Sequence, residues 1–166
     1  TSLAAHEEMS MTSFGGNGTL ALLARAGAGG LLLAFGQENG RRWGGAAPPN
    51  LPNRSQMPAC EASIASAGDA LLIAAPAATD TKGRSGMRVF SSHDSGASWQ
   101  TFLMLTPDDW SVGYSSMTAL RAAGGVVDSD SGGQIGCLYE SRVCQNPALC
   151  PMGVSYAAFG AVDIAG

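Results

Sequence analysis

Charge is scarce in this chain: Asp, Glu, Lys and Arg make up only 13% of its 166 residues, about half the ~25% of an ordinary soluble domain. Aromatic residues reach 7%, and the 45% hydrophobic share leans on small alanines. With 23 Gly and 8 Pro as well, the composition speaks for short strands joined by turns and against a helix bundle. Disorder is excluded, since the net charge is only −4 and apolar runs are frequent. No run approaches the ~18 to 20 apolar residues of a membrane helix, so no transmembrane segment is expected. The richest, Leu31–Phe35, is strand-sized. No basic segment precedes it as a secretory leader would require, so no leader is expected, and Thr1 reads as a processed end or a chosen boundary. A pI near 4.9 argues against a nucleic-acid partner, which would select a basic face. Lys and Arg together number nine, eight of them Arg, so each arginine is worth locating. The length suits one domain or a piece of one.

Four cysteines are too few for a disulfide scaffold. Cys144 and Cys150 bracket a turn-rich loop, Gln145 to Leu149, and either a small disulfide or free thiols would suit it. A zinc site would need close cysteine pairs and histidines. The two histidines, His6 and His93, lie near no cysteine and read as surface residues, so no metal is expected.

Apolar-rich runs of strand length recur, most of them bounded by Gly, Ser, Asn or Asp. They are Met9–Phe14, Leu20–Ala24, Leu31–Phe35, Ser63–Ser66, Ala70–Ala75, Met87–Ser91, Thr101–Leu105, Ser116–Leu120, Gln134–Tyr139 and Val154–Val162. Turn chemistry separates many of them, as in Gly15-Gly16-Asn17-Gly18, Ala67-Gly68-Asp69 and Asp128 to Gly133. Ala119–Ala123 and Ala157–Val162 also fit a helix, but their flanking Gly and β-branched residues favour strand. The expectation is an antiparallel, all-β chain.

One turn repeats. Ser92-His93-Asp94-Ser95-Gly96-Ala97-Ser98-Trp99 has the form S-x-D-x-G-x-S-W. Upstream, Gly36-Gln37-Glu38-Asn39-Gly40-Arg41-Arg42-Trp43 keeps an acid, a glycine and a tryptophan at the same offsets and loses both hydroxyls. In such a hairpin turn the acid accepts backbone N–H bonds, the glycine takes the positive φ, and the tryptophan packs alongside. A repeat unit with about four strands per copy is one propeller blade.

The Ser92–Trp99 segment resembles the Asp box of sialidases, with Ser92, Asp94, Gly96, Ser98 and Trp99 as its structural residues. Gly113-Tyr114-Ser115-Ser116, followed later by Ile135-Gly136-Cys137-Leu138-Tyr139-Glu140, resembles the family's pattern around its nucleophile. Pro58-Ala59-Cys60-Glu61-Ala62-Ser63 is similar to the family's Cys-Gln-x-Ser segment, with Glu61 in place of the usual Gln. The resemblance implies a six-bladed β-propeller of which residues 1–166 are the C-terminal half, about three blades. It implies Tyr114 as nucleophile and Glu8 as the glutamate that activates it. Arg25 and Arg84 are implied as the second and third of three substrate-binding arginines, and Glu140 as the carboxylate that orients the first. That first arginine and the acid/base aspartate belong to the family's N-terminal half and have no counterpart here. No cofactor is implied. The implied substrate is a sialylated glycoconjugate, and the open blades call for the missing propeller half or another subunit to close them.

The chemistry explains these residue types. A sialic acid carries a carboxylate on its anomeric carbon, so recognition wants the planar, permanently charged fork of arginine. That carboxylate would repel an Asp or Glu nucleophile, whereas a phenol is neutral at rest. Phenols titrate near pH ~10 and need a base, a role open to a nearby glutamate.

Each assignment has a competitor. Tyr114 alone would read as a core or rim aromatic, and Glu140 as a strand end in solvent. Glu7 stands beside Glu8, and Arg88 competes with Arg84, strand alternation placing both arginines on one face. Arg25 also fits a solvated turn, as Arg41 and Arg42 do. At the level of function, a retaining exo-sialidase competes with a non-catalytic sialidase-like propeller serving as a structural or glycan-binding subunit. A different Asp-box propeller is the third reading.

Overall fold

The computed structural model describes residues 8–15, 17–26, 30–53, 55, 57–80, 83–120, 134–143 and 151–160. His6, Cys144, Cys150 and the Asp128–Gly133 turn lie outside them. The described residues form eleven antiparallel strands: β1 (Met9–Phe14), β2 (Thr19–Arg25), β3 (Leu31–Gln37), β4 (Arg42–Trp43), β5 (Ser63–Ala67), β6 (Ala70–Asp80), β7 (Gly83–Ser92), β8 (Gln100–Met104), β9 (Ser111–Leu120), β10 (Gln134–Arg142) and β11 (Gly153–Gly160). Among them no helix is long and apolar enough to cross a membrane.

The strands run as successive meanders. β1-β2-β3-β4 pair in chain order as one four-stranded sheet. β5-β6-β7-β8 form a second, and β9-β10-β11 a third, joined to the second through the Ser85↔Ser111 pairing of β7 with β9. The second meander is packed on both faces. Ile64, Leu71, Ile73, Ala75, Phe90 and Trp99 meet Ala21, Leu23, Leu31 and Leu33 of the first meander. On the other face Leu72, Ala74, Met87 and Val89 meet Val112, Met117, Ile135, Cys137, Tyr139 and Phe159 of the third.

This layering explains the sequence pattern. Residues 70–77 of β6 are buried at every position, which is why the run Ala70–Ala75 reads as continuous rather than alternating. β1, with one neighbouring sheet, alternates exposed and half-buried. Hydrophobic runs alone missed β4, a two-residue edge of one arginine and one tryptophan, and placed the start of β9 at Ser116 rather than Ser111. The polar residues of Ser111–Ser115 extend that strand because Ser115 is buried by hydrogen bonds instead of apolar packing.

The two related turns occupy the same place, between the third and fourth strands of their meanders. In the second, the Ser98 amide and hydroxyl donate to Asp94 at 2.8 and 2.5 Å, Ser92 Oγ donates to Asp94 at 2.8 Å, and the Gly96 amide donates to Ser92 Oγ. The Trp99 indole N–H closes the turn on the Gly96 carbonyl. These donors from Ser98 and Ser92 hold the Asp94 carboxyl down to about 2. Gly96 has φ +86°, and a Cβ there would meet Phe35 of the first meander, so this glycine serves both conformation and packing. In the first turn the expected acid-to-backbone bonding gives way to a Glu38–Arg42 ion pair of 3.4 Å. Lacking both hydroxyls, that copy carries its positive φ on Glu38, Asn39 and Gly40.

Candidate functional site

Antiparallel pairing brings distant residues to one edge of the stack. β1 starts where β2 ends, so the Arg25 amide donates to the Glu8 carbonyl at 3.0 Å. β7 starts beside the end of β6, and β9 starts beside the end of β10. The pairing of Ser85 with Ser111 then sets the beginnings of β7 and β9 side by side. Glu8, Arg25, Arg84, Tyr114 and Glu140 all lie at or near these strand ends.

Their contacts interlock. Arg25 Nη1 donates to Glu8 Oε2 at 2.7 Å, with both side chains largely covered. The Tyr114 phenol lies near enough to Glu8 to help hold its carboxyl ionised. The Arg25 hydrogen bond, aided by Tyr114 and the charges of Arg25 and Arg84, outweighs partial burial and keeps the Glu8 carboxyl below its ordinary range. The Arg84 guanidinium carbon lies 5.6 Å from the centroid of the Tyr114 ring, and Arg84 Nη2 donates to the Ala59 carbonyl at 3.4 Å. Tyr114 is 38% exposed, so it is reachable by a ligand.

Glu140 sits against the tyrosine backbone, accepting the Tyr114 amide at 3.1 Å. Sequence reasoning quoted Gly113 without giving it a role. A Cβ at Gly113 would collide with the Glu140 carboxylate, so glycine is what lets that carboxylate approach Tyr114. Ser115 was missed as well. Its hydroxyl donates to the Ala74 carbonyl at 2.8 Å and accepts from the Ser63 amide at 3.2 Å, fixing the strand from the buried side. The Cys60 thiol donates to the Gly113 carbonyl at 3.5 Å. Burial pushes that thiol up to about 11, so it is a neutral packing group rather than a nucleophile.

Arg88 has a different role from Arg84. The left-handed φ of Gly86, +63°, lies between them, and Arg88 Nη2 is held at 2.7 Å from both carboxylate oxygens of Asp108. The β6–β7 register runs unshifted across Gly86, so the two arginines differ in what they meet: a Cβ at Gly86 would strike Asp108, the partner of Arg88. Among the described residues no group of three or more His, Cys, Asp or Glu is placed to hold a metal ion.

A tyrosine in contact with a carboxylate, beneath one guanidinium and near another, is arranged to bind an anion and to develop negative charge on the phenol oxygen. No protein-family profile and no curated protein matches the chain. Solved structures do. The intramolecular trans-sialidase from Ruminococcus gnavus, solved with oseltamivir carboxylate, superposes with a TM-score of 0.61 at 18% identity, over 94% of this chain and 33% of that one. The Trypanosoma rangeli sialidase, solved with the inhibitor DANA, gives 0.58 at 18% identity, over 92% of this chain and 23% of that one.

The fold is sialidase-like. This sialidase-like chain spans a third or less of the length of the structures it resembles, and its three meanders are the part of that fold described above.

Proposed function

We propose that this chain is the tyrosine-bearing part of a retaining exo-sialidase, a hydrolase that releases terminal sialic acid from glycoconjugates. The observation that carries the reading is the convergence of Glu8, Arg25 and Arg84 on Tyr114. In this reading the Tyr114 oxygen attacks the anomeric carbon, its proton passes to Glu8, and the glycosidic C–O bond breaks. The leaving oxygen takes a proton from an acid outside residues 1–166; in the second half water gives its proton to that same group as it attacks the anomeric carbon, and the aryl glycoside bond to Tyr114 breaks as Glu8 returns the proton to the phenol oxygen. Arg25 and Arg84 hold the sugar carboxylate, and Arg84 above the ring also favours phenolate character. A Glu8 held ionised by Arg25 is ready to accept a proton but is a weak base. Proton transfer therefore accompanies bond formation rather than preceding it.

We further propose that residues 1–166 are the C-terminal half of a six-bladed propeller. Leu138, Val154 and Tyr156 are 50%, 74% and 59% exposed on the face of the third meander that carries Glu140, and an apolar sheet face of this kind suits the packing of a further blade. The closing half would bring an arginine to Glu140 and an aspartate to the side facing Tyr114. The test is hydrolysis of a fluorogenic sialoside by the full-length protein. Turnover that requires Tyr114 supports the reading. Binding of the sialoside without turnover would favour the alternative, a non-catalytic glycan-binding propeller, and neither binding nor turnover would refute both.

A further inference from the structure

Tyr114 stands at a break in its own ladder. β9 and β10 pair Ser115 with Tyr139 and then Val112 with Ser141, so Gly113 and Tyr114 together face the single residue Glu140. A bulge of this kind leaves the extra residue without a ladder partner and re-aims its side chain. The Tyr114 amide accordingly donates to the Glu140 carboxylate instead of a strand carbonyl. Strand pairing by itself therefore does not set where the phenol points, and the residues on either side of Tyr114 have to.

Both neighbours are held by one short segment, Ala59 to Ile64, which leads into β5. Before the tyrosine, the Gly113 carbonyl accepts from the buried Cys60 thiol at 3.5 Å. After it, the buried Ser115 hydroxyl donates to the Ala74 carbonyl at 2.8 Å and accepts from the Ser63 amide at 3.2 Å. With its one proton given to Ala74, the same oxygen accepts from the Ser63 hydroxyl at 3.0 Å. A serine hydroxyl has one proton to give and two lone pairs, so Ser115 is saturated in a single proton arrangement. The segment reaches the partners of the tyrosine as well. The Ala59 carbonyl accepts from Arg84 at 3.4 Å, and the Ile64 amide donates at 3.1 Å to Ser10 Oγ, two residues after Glu8.

We propose that Ser115 and Cys60 are positioning residues for Tyr114. By tying its two chain neighbours to the segment that also holds Arg84 and the strand after Glu8, they fix the phenol oxygen relative to both. This inference rests on the reading of Tyr114 as the nucleophile. Ser115 and Cys60 are buried while Tyr114 is exposed, so they act on geometry rather than on the substrate. A reacting group displaced by ~1 Å loses roughly a hundredfold in rate.

The experiment compares wild type, Ser115→Ala and Cys60→Ala of the full-length protein on a fluorogenic sialoside. Ser115→Ala is expected to lower kcat by roughly tenfold to a hundredfold. KM, and the Kd for DANA by calorimetry, should stay within about twofold of wild type. Cys60→Ala removes one weak hydrogen bond and should show the same split at smaller size, with little change in melting temperature; it carries the test alone if Ser115→Ala does not fold. Combined with Tyr114→Phe, neither change should lower the residual turnover further, because each acts through the phenol. An unchanged kcat in both variants, or a loss that multiplies with that of Tyr114→Phe, would overturn the inference and leave the nucleophile reading standing. A fluorotyrosine label at position 114 adds a readout that needs no substrate. Ser115→Ala and Cys60→Ala should each shift its fluorine resonance, and a resonance unmoved by both would overturn the inference. Wild type without turnover would overturn the nucleophile reading, and the label would still decide whether the two residues position the ring.

Discussion

The Arg84 guanidinium carbon stands over the Tyr114 ring, 5.6 Å from its centroid, although the two residues come from different meanders. The ladder pairing of Ser85 with Ser111, backed by the packing of Met87 and Val89 on Val112 and Met117, sets β7 beside β9. It places a permanent cation over the group proposed to become anionic. Replacing Arg84 with Lys keeps the charge and loses the planar fork. The sialoside KM is expected to rise by roughly tenfold or more, read from initial rates, and an unchanged KM would show that Arg84 does not touch the sugar carboxylate.

Tyr114→Phe removes only the hydroxyl of a partly exposed ring. The sialoside kcat should fall roughly a thousandfold or more, as expected when a nucleophile is deleted, with the melting temperature nearly unchanged. A variant that kept most of its turnover would refute the tyrosine mechanism.

Gly113 and Glu140 should behave as a coupled pair. Gly113→Ala pushes a methyl into the Glu140 carboxylate and is expected to cost about 1–3 kcal/mol, the scale of local overpacking. In the Glu140→Ala background the same change should cost much less. A double-mutant cycle from denaturant melts measures the coupling, and simple additivity would contradict the contact.

The Ser92–Trp99 turn predicts a pH signature. Asp94 is depressed to about 2, below the ~3.9 of an unfolded aspartate. Its contribution is therefore fully present above pH ~4 and is lost as pH falls towards about 2. The melting-temperature gap between wild type and Asp94→Asn should be largest near neutrality and close over that acid window. A gap independent of pH would place the effect elsewhere.

Residues 1–166 expressed alone should associate. Leu138, Val154 and Tyr156 lie exposed on one sheet face, and Met9 and Met11 are exposed on β1 at the end of its sheet. Light scattering coupled to size exclusion should detect species heavier than the 16.8 kDa chain. A monodisperse, cooperatively folding monomer would refute the half-propeller proposal.

Much was legible in the sequence because local chemistry determined it. The boundaries of β1 follow from the apolar run Met9–Phe14 and the glycine-rich turn after it, and the Ser92–Trp99 turn was readable since its hydrogen bonds stay within a few residues. The glutamate turn was misjudged for a local reason too: without hydroxyls, Glu38 finds Arg42 instead of the backbone. The site was legible only as a resemblance, residue by residue. Tertiary structure decided the rest, because the decisive contacts cross strands and sheets. Nothing local says that Ser115 is pinned by Ser63 and Ala74, that Gly113 makes room for Glu140, or that Gly86 makes room for Asp108 beside Arg88. Register and layer packing set those distances.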